Sequence, residues 1–439
     1  MIRSLFTKLN GFRSSEMSQT LIEPLSRPVI SPQRSKSTFQ TVKLPLNSSN
    51  SVPKMGLVYC FFESTLQFNA NTGVQRVARQ TARALADAGI KVIASTWDPE
   101  NRSIAPLLPK EILHLSKWNG PMSEQWHHWV PPSEAPENSW LMSNEMPPRL
   151  GPGVNGELLE FAKLNELKTA VTFFDAIPFI FPNLYPAGLA DLHYSYMEQL
   201  AAWDLIFPIS IQSAKDMFDI LPESICSEQD LNKKLIPIPL PSEFPSAKRN
   251  LDSPVSLNAR PFILVISTFE QRKNHISLLK AMAIAQQSLP FGFELILVGH
   301  PLEASVLKLV NLYQEKLPSM KIVHDASDDQ IKEWLHRADF TVFPSIEEGF
   351  GLPIVESLWH GKPVICDHQR AINEIAKDGG CLQVDVLNVE QLAEAIVTLA
   401  KDFDVYRSKC NEIKTRSFST WENYISDIVT SMSNSSALS

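Results

Sequence analysis

The chain has 439 residues, more than one hydrophobic core usually organises, so two domains are expected. Apolar residues make up 44% and charged residues 20%, the balance of a globular protein, and the net charge of −8 argues against a partner with a nucleic-acid backbone. No apolar run approaches the roughly 20 residues that cross a bilayer, and no apolar signal core opens the chain; Cys60, Cys226, Cys366, Cys381 and Cys410, without CxxC spacing, fit reduced thiols in a cytoplasmic protein.

Residues 1–54 read as a separate segment. Glu16 to Pro53 is rich in Ser, Pro, Thr and Gln with no sustained period, which predicts a disordered tail. Ile2, Leu5, Phe6, Leu9 and Phe12 fall near helical spacing, with Arg3, Lys8 and Arg13 among them. Two readings stay open there: a short basic amphipathic helix lying peripherally on a membrane surface, or a frayed terminus.

Residues 55–245 form the first expected domain. Apolar runs at Leu57–Phe62, Lys91–Thr96, Thr169–Phe174, Leu205–Ile209 and Leu235–Ile238 predict strands. Val74–Ala88, Pro186–Ala202 and Ile211–Ile220 carry helical patterns between them. Pro99 to Pro152 is irregular and reads as insertions suited to an acceptor site. After a Pro- and Ser-containing linker, Pro239–Pro261, the alternation restarts in residues 246–417. Strands are expected at Phe262–Ser267, Glu294–Val298, Lys321–Val323, Phe340–Phe343 and Pro363–Cys366. Helices are expected at His275–Gln287, Leu302–Glu315, Asp328–Arg337, Leu352–Trp359 and Asn388–Ala400, with a last one at Trp421–Met432 in residues 418–433. Alternation of this kind predicts an α/β protein with two Rossmann-like domains, each a parallel sheet covered on both faces, facing across a cleft.

The most informative stretch is Phe343 to Glu356, where a strand ends, a loop carries Glu348, Gly349 and Gly351, and a helix opens near Leu352. Pro353 suits a first helical turn, because its missing N–H breaks no bond there. The glycines let backbone approach a ligand, and the amides of a helix start attract an anion. Glu348 at the loop mouth and Glu356 one turn into the helix can each accept bonds from vicinal hydroxyls, as on ribose or hexose rings.

Glu348-x7-Glu356, flanked by Pro344-Ser345 and Gly349-Phe350-Gly351-Leu352-Pro353 and followed by Gly361-Lys362-Pro363-Val364 and Glu374, resembles the signature of the retaining, GT-B-fold group 1 glycosyltransferases. The resemblance covers Phe262 to Glu422 and, more loosely, Gly56 to Ile238. It implies that Glu356 binds the donor ribose, that Glu348 contacts the transferred sugar, and that the backbone of Gly349, Phe350, Gly351 and Leu352 lies against a nucleotide-diphosphate sugar.

Thr268 to Asn274 follows a strand and precedes a helix, and its adjacent Arg272 and Lys273 can neutralise a diphosphate leaving group without a metal. Many relatives carry Arg where Thr268 stands; this chain is similar to the subgroup with Glu-Pro-Arg-Lys-Asn, with Gln271 in place of Pro. In the first half, Gly73-Val74-Gln75-Arg76-Val77 resembles an element of that subgroup, with Gly73 as an approach point for the diphosphate. Arg76 reads equally as a ligand contact or a surface residue. Asp175, at a strand end, can orient or deprotonate an acceptor hydroxyl, or simply cap the next turn; Phe174 stands where many relatives have His. Ser210, ahead of Lys215, reads as an N-cap. Asp402-Phe403-Asp404 reads as a solvated loop, and His127-His128 as packing or acceptor contact. Trp421 resembles the start of the family's final helix, which packs back on the first domain.

The resemblance implies hexose transfer to a glycan or lipid-linked acceptor with retention, with domain closure excluding water. The subgroup leans to GDP-mannose as donor. A nucleotide-sugar epimerase of the same architecture, or a catalytically silent glycan-binding or assembly protein, are the rival readings. An NAD-dependent dehydrogenase lacks its Gly-x-Gly-x-x-Gly.

Overall fold

A computed structural model of the chain describes Arg27, Phe39 and residues 55–146, 154–244, 247, 249, 257–324 and 326–437. The expected disordered tail and amphipathic helix lie outside the described residues, apart from Arg27 and Phe39. Residues 242–418 form one compact unit; residues 55–241 form the other together with the chain from Ser419 onward.

In the first unit β1 (Val58–Phe61) is followed by α1 (Gly73–Asp87), β2 (Val92–Asp98), β3 (Ser103–Pro106) and α2 (Pro109–Leu115). β4 (Trp140–Ser143), α3 (Val154–Leu164), β5 (Lys168–Phe173), α4 (Leu189–Leu200), β6 (Leu205–Pro208) and α5 (Ile211–Ile220) complete its alternation, and the short α6 (Glu228–Lys234) follows. The sheet order is β3-β2-β1-β4-β5-β6, parallel except for the β2–β3 pair. β1 is buried throughout, as a strand covered on both faces must be. In α1 the buried positions Val77, Thr81 and Leu85, with Ala78 and Ala82, repeat every fourth residue and make one apolar stripe.

Two segments of this unit differ from the pattern of the sequence. Leu235–Ile238 is no strand: Leu235 makes only an isolated parallel bridge with Ile206, and Ile236 and Ile238 donate to Ile206 and Pro208. The run is apolar because it lies alongside the edge strand β6, bonded to Ile206 and Pro208 without a regular ladder. Pro99–Pro152 is more than insertion, since it contains β4, a central strand flanked by β1 and β5. Only four residues long and followed by a Pro-rich stretch, β4 offers no period to read.

The second unit runs β7 (Phe262–Ile266), α7 (His275–Ala285), β8 (Glu294–Val298), α8 (Ala304–Leu312), β9 (Met320–Val323), α9 (Asp328–Arg337) and β10 (Phe340–Phe343). It continues with α10 (Leu352–Trp359), β11 (Val364–Cys366), α11 (Arg370–Ala376), β12 (Cys381–Gln383), α12 (Val389–Lys401) and α13 (Phe403–Thr415). The order β12-β11-β10-β7-β8-β9 is wholly parallel. Ile263, Val265, Leu295, Leu297, Phe340 and Val342 on the strands pack with Leu278, Met282, Leu392 and Ile396 of α7 and α12 in its core. Burial of each such side chain stabilises the fold by about 1.5–3 kcal/mol. Local signals set the helix ends. Ser327 Oγ accepts from Gln330 N and Gln330 Oε1 from Ser327 N, a capping box that starts α9.

α14 (Trp421–Ala437) belongs to the first unit and packs along α1.

Candidate functional site

In a doubly wound sheet, ligands bind beyond the carboxyl ends of the strands where the strand order reverses. In the second unit that point lies between β7 and β10. The loops leaving these two strands are the two stretches singled out in the sequence. They are joined directly: Ile346 N donates to Arg272 O at 3.1 Å, and Arg272 Nη1 to Glu347 O at 2.6 Å.

Between the loops lies a four-membered ion cluster. Lys273 Nζ is 2.6 Å from Glu348 Oε1, and Arg272 Nη1 is 2.8 Å from Glu348 Oε2. Glu270 Oε1 is 3.0 Å from Arg272 Nη2 and 3.8 Å from Lys273 Nζ, and it accepts from Thr268 Oγ1. Ser345 Oγ donates to Glu348 Oε1 at 2.5 Å. All four charged side chains are 11–14% exposed, so the ion pairs are largely shielded from water. Burial by itself would raise the Glu348 carboxyl; the charges of Arg272 and Lys273 and the bonds from Lys273 and Ser345 outweigh it and hold the pKa at about 2. Glu270 is also held low, burial being outweighed by the same two cations and Thr268. Glu303, whose Oε1 accepts from Gln271 N, is pushed up to about 7 by burial.

Behind the cluster His275 opens α7, stacked on Phe269 at 4.8 Å and in a hydrogen bond with Ser267 Oγ at 3.1 Å. Burial, with Lys273 nearby, drops its pKa to about 3, so it is neutral. Asn274 takes the left-handed conformation (φ 53°), and its Nδ2 donates to Val386 O at 2.9 Å, which anchors the loop immediately after Lys273.

The second loop turns into α10 at Gly351, whose φ of 116° suits glycine. Pro353 lies in the first turn as expected. Gly349 and Phe350 are buried and Leu352 is half-buried beside them. Glu356 is 3% exposed on α10, and its carbonyl accepts from His360 Nδ1 at 2.8 Å. The structure thus gathers Thr268, Arg272, Lys273 and Glu348 in one cluster at the switch point, with Gly349, Phe350, Gly351 and Leu352 on the chain that follows and Glu356 one turn into α10.

Sequence reading missed Glu270 and the ion pair of Glu347 Oε2 with Arg370 Nε at 2.6 Å. Glu347 is 2% exposed, and Arg370 holds φ 49° at the start of α11. No spacing announces a pair between loops more than twenty positions apart. Arg27 pairs with buried Asp367, after β11, and lies 3.5 Å from Asp385; nothing in the tail's composition signals this contact.

The remaining sequence candidates belong to the first unit. Gly73 is exposed at the first position of α1, and Arg76 is half-buried one turn along. Asp175 follows β5, and its Oδ1 accepts from Ile177 N at 2.9 Å, while its carbonyl meets His193 Nε2 at 2.8 Å. Ser210 caps α5, accepting from Ser213 N, and Lys215 is exposed. The switch point of this sheet, between β1 and β4, carries a carboxylate that sequence reading missed. Glu145 accepts from the backbone N–H groups of Glu63, Ser64 and Thr65 at 2.5–2.9 Å and is fully buried.

Trp126 and Trp129, flanking His127-His128, pack edge-on against Phe62 and Tyr59. Asp402 is the exposed one-residue connection between α12 and α13 and caps α13 by accepting from Asp404 N and Val405 N, while Asp404, exposed in the first turn of α13, pairs with Arg407. Among the described residues, no three His, Cys, Asp or Glu side chains are grouped so as to hold a metal ion. No described helix is long and apolar enough to cross a membrane.

Two Rossmann-like units, with this loop pair at the switch point of the second, define a GT-B architecture. Residues 260–402 match the family described as Glycosyl transferases group 1. It is 30% identical over 166 residues, 37% of this chain and 43% of the relative, to the O-antigen chain mannosyltransferase B of Escherichia coli. The chain spans less than half the length of the curated relatives it matches. The fold is similar to a glycosyltransferase from Rickettsia africae, with a TM-score of 0.58 and 14% identity over 88% of this chain and 100% of that one. It is also similar to Anabaena HepE in complex with UDP-glucose, with a TM-score of 0.56 and 16% identity over 86% and 100% of the two chains.

Proposed function

We propose that the protein is a glycosyltransferase that moves a hexose from a nucleoside-diphosphate sugar to a hydroxyl of a glycan or lipid-linked acceptor, with retention of configuration. One observation carries this reading: Arg272 and Lys273 converge on Glu348 at the switch point of the second sheet, shielded from water. Two fixed cations in that position suit a diphosphate leaving group. As the bond from the anomeric carbon to the donor phosphate breaks, charge grows on the diphosphate oxygens, and pre-positioned N–H donors lower that barrier without reorganising. They supply here the charge stabilisation for which other transferases use a divalent ion.

The amides of the Gly349–Leu352 turn lie against the donor, Glu356 accepts from the ribose hydroxyls, and Glu348 from hydroxyls of the transferred sugar. The acceptor oxygen forms its bond on the face that the diphosphate leaves, and its proton passes to the departing phosphate oxygen. Asp175 orients the acceptor hydroxyl, with Gly73 on the same unit as a diphosphate approach point. Relatives named as mannosyltransferases support mannose as the sugar; GDP as its carrier follows the sequence resemblance alone.

The test is a thermal-shift panel of nucleoside diphosphates and nucleotide sugars with and without EDTA, since a ligand of the folded state alone raises the melting temperature. One nucleoside diphosphate should stabilise the protein in EDTA, and Lys273→Ala and Glu356→Ala should abolish the shift. No shift with any nucleotide would overturn the donor reading. The anomeric configuration of the product, read by NMR, tests retention, and an inverted product would refute it.

A further inference from the structure

The two cations that suit a diphosphate are already held by carboxylates. Arg272 and Lys273 contribute two positive charges, and Glu270 and Glu348 two negative ones. A diphosphate added beside this neutral cluster would meet two buried like charges and find the best N–H directions taken. We propose that Glu348 is a built-in competitor of the diphosphate: it holds the same donors of Arg272 and Lys273, so the diphosphate binds by exchange with it. The exchange turns Glu348 toward the transferred sugar. This rests on the donor reading above and specifies how the site takes its anion.

The geometry selects Glu348, rather than Glu270, as the group that leaves. Glu270 is on the same loop as the cations, two and three residues from them, and Thr268 Oγ1 fixes its Oε1. Glu348 reaches the cations from the other loop, next to Gly349 and three residues before the left-handed Gly351. Besides the two cations, it is held by the hydroxyl of Ser345. Glu145, at the switch point of the other sheet, shows the contrasting arrangement. Its carboxylate is fixed by three backbone N–H groups, which do not swing away as side chains do. The Glu348 carboxyl, held at about 2, stays ionised across the working pH range, so an incoming anion displaces it where protonation does not.

The experiment compares dissociation constants of GDP, UDP and inorganic pyrophosphate, by calorimetry at pH 8, for the full chain and for Glu348→Gln. Glutamine keeps the size and removes the charge. The variant should bind pyrophosphate, and the nucleoside diphosphate the wild type prefers, about tenfold tighter, while sugar transfer falls at least about a hundredfold. Glu303→Gln removes a neighbouring carboxylate without freeing either cation, and should leave affinity within about twofold. Equal or weaker binding by folded Glu348→Gln, or equal tightening by Glu303→Gln, would overturn the exchange. A wild type that binds none of the three anions would instead overturn the donor reading itself. If Glu348→Gln does not fold, Glu348→Asp, drawn back from both cations by one methylene, supports the same comparison.

Discussion

Arg272 and Lys273 touch opposite oxygens of one carboxylate, yet their surroundings make them unequal. Arg272 also donates to the Glu347 carbonyl and pairs with Glu270, so it ties the two loops together. Lys273 ends in an ammonium whose one tight partner is Glu348. Lys273→Met should therefore weaken nucleoside-diphosphate binding at least about tenfold and lower the melting temperature only slightly. Arg272→Met should do both, because it removes a charged donor from the Glu347 carbonyl and from Glu270; hydrogen bonds to charged groups contribute about 1.5–3 kcal/mol each. Calorimetry and thermal denaturation on the two variants separate the cases, and equal losses of stability would contradict the assignment. His275 gives a pH prediction. Its folded pKa, about 3, lies below the ordinary 6.5, so between these values the unfolded chain binds a proton that the folded one does not. Its contribution to stability is complete above 6.5 and is lost as pH falls toward 3, with a slope of at most about 1.4 kcal/mol per pH unit. His275→Gln should flatten the melting-temperature profile over that window, and an unchanged slope would mean that other groups set it.

The start of α10 shows how much of the site one element boundary carries. Gly351 holds φ 116° and ψ 51°, and a Cβ there would stand 3.3 Å from Ile354 Cδ1 and 3.4 Å from Ile375 Cδ1. Those methyl groups could give by a few tenths of an ångström; the backbone strain could not be relieved in place. Gly351→Ala should cost about 1–3 kcal/mol and lower the melting temperature by several degrees. Nucleoside-diphosphate binding should fall with it, as the first turn of α10 shifts. Wild-type stability in this variant would show that the loop has a second conformation available. This boundary was legible in sequence because turn and helix-start chemistry is local: strand end, glycines and Pro353 stand in order within a few residues. β10 and β8 were legible with their bounds for a similar reason, as compact apolar runs of a parallel sheet. β4 was not, because its central place depends on pairing with β1 and β5 rather than on its own four residues. Glu270, Glu347 and Glu145 were not legible either. Glu347 and Glu145 take their partners from separate loops, while Glu270 meets Thr268, Arg272 and Lys273 only because its own loop folds back on itself; a lone Glu reads the same whether it is solvated or enclosed.

At the scale of the molecule, the first unit is discontinuous in sequence. It is built from residues before 242 and completed by α14, while residues 242–418 form a unit without a contribution from that helix. In α14, Tyr424, Ile428 and Met432 repeat every fourth position, as do Ile425 and Val429, and all five are buried at 6% exposure or less. At about 1.5–3 kcal/mol for each large apolar side chain, that stripe is comparable with the entire 5–15 kcal/mol margin of a typical domain. Truncation after Phe418 would uncover the face of α1 on which α14 packs, including Thr81, which is fully buried in the complete chain and lies against Tyr424. The expected result is selective. Amides of β1, α1 and β2 should lose their hydrogen-exchange protection, while β7, β8 and β10, with their own core, should keep it. The truncated chain should still bind the nucleoside diphosphate, because every side chain of the ion cluster lies in residues 242–418, and it should transfer no sugar. Protection unchanged in β1 and α1 would show that the first unit is stable without its last helix. Loss of protection throughout would show instead that the two units unfold as one cooperative body.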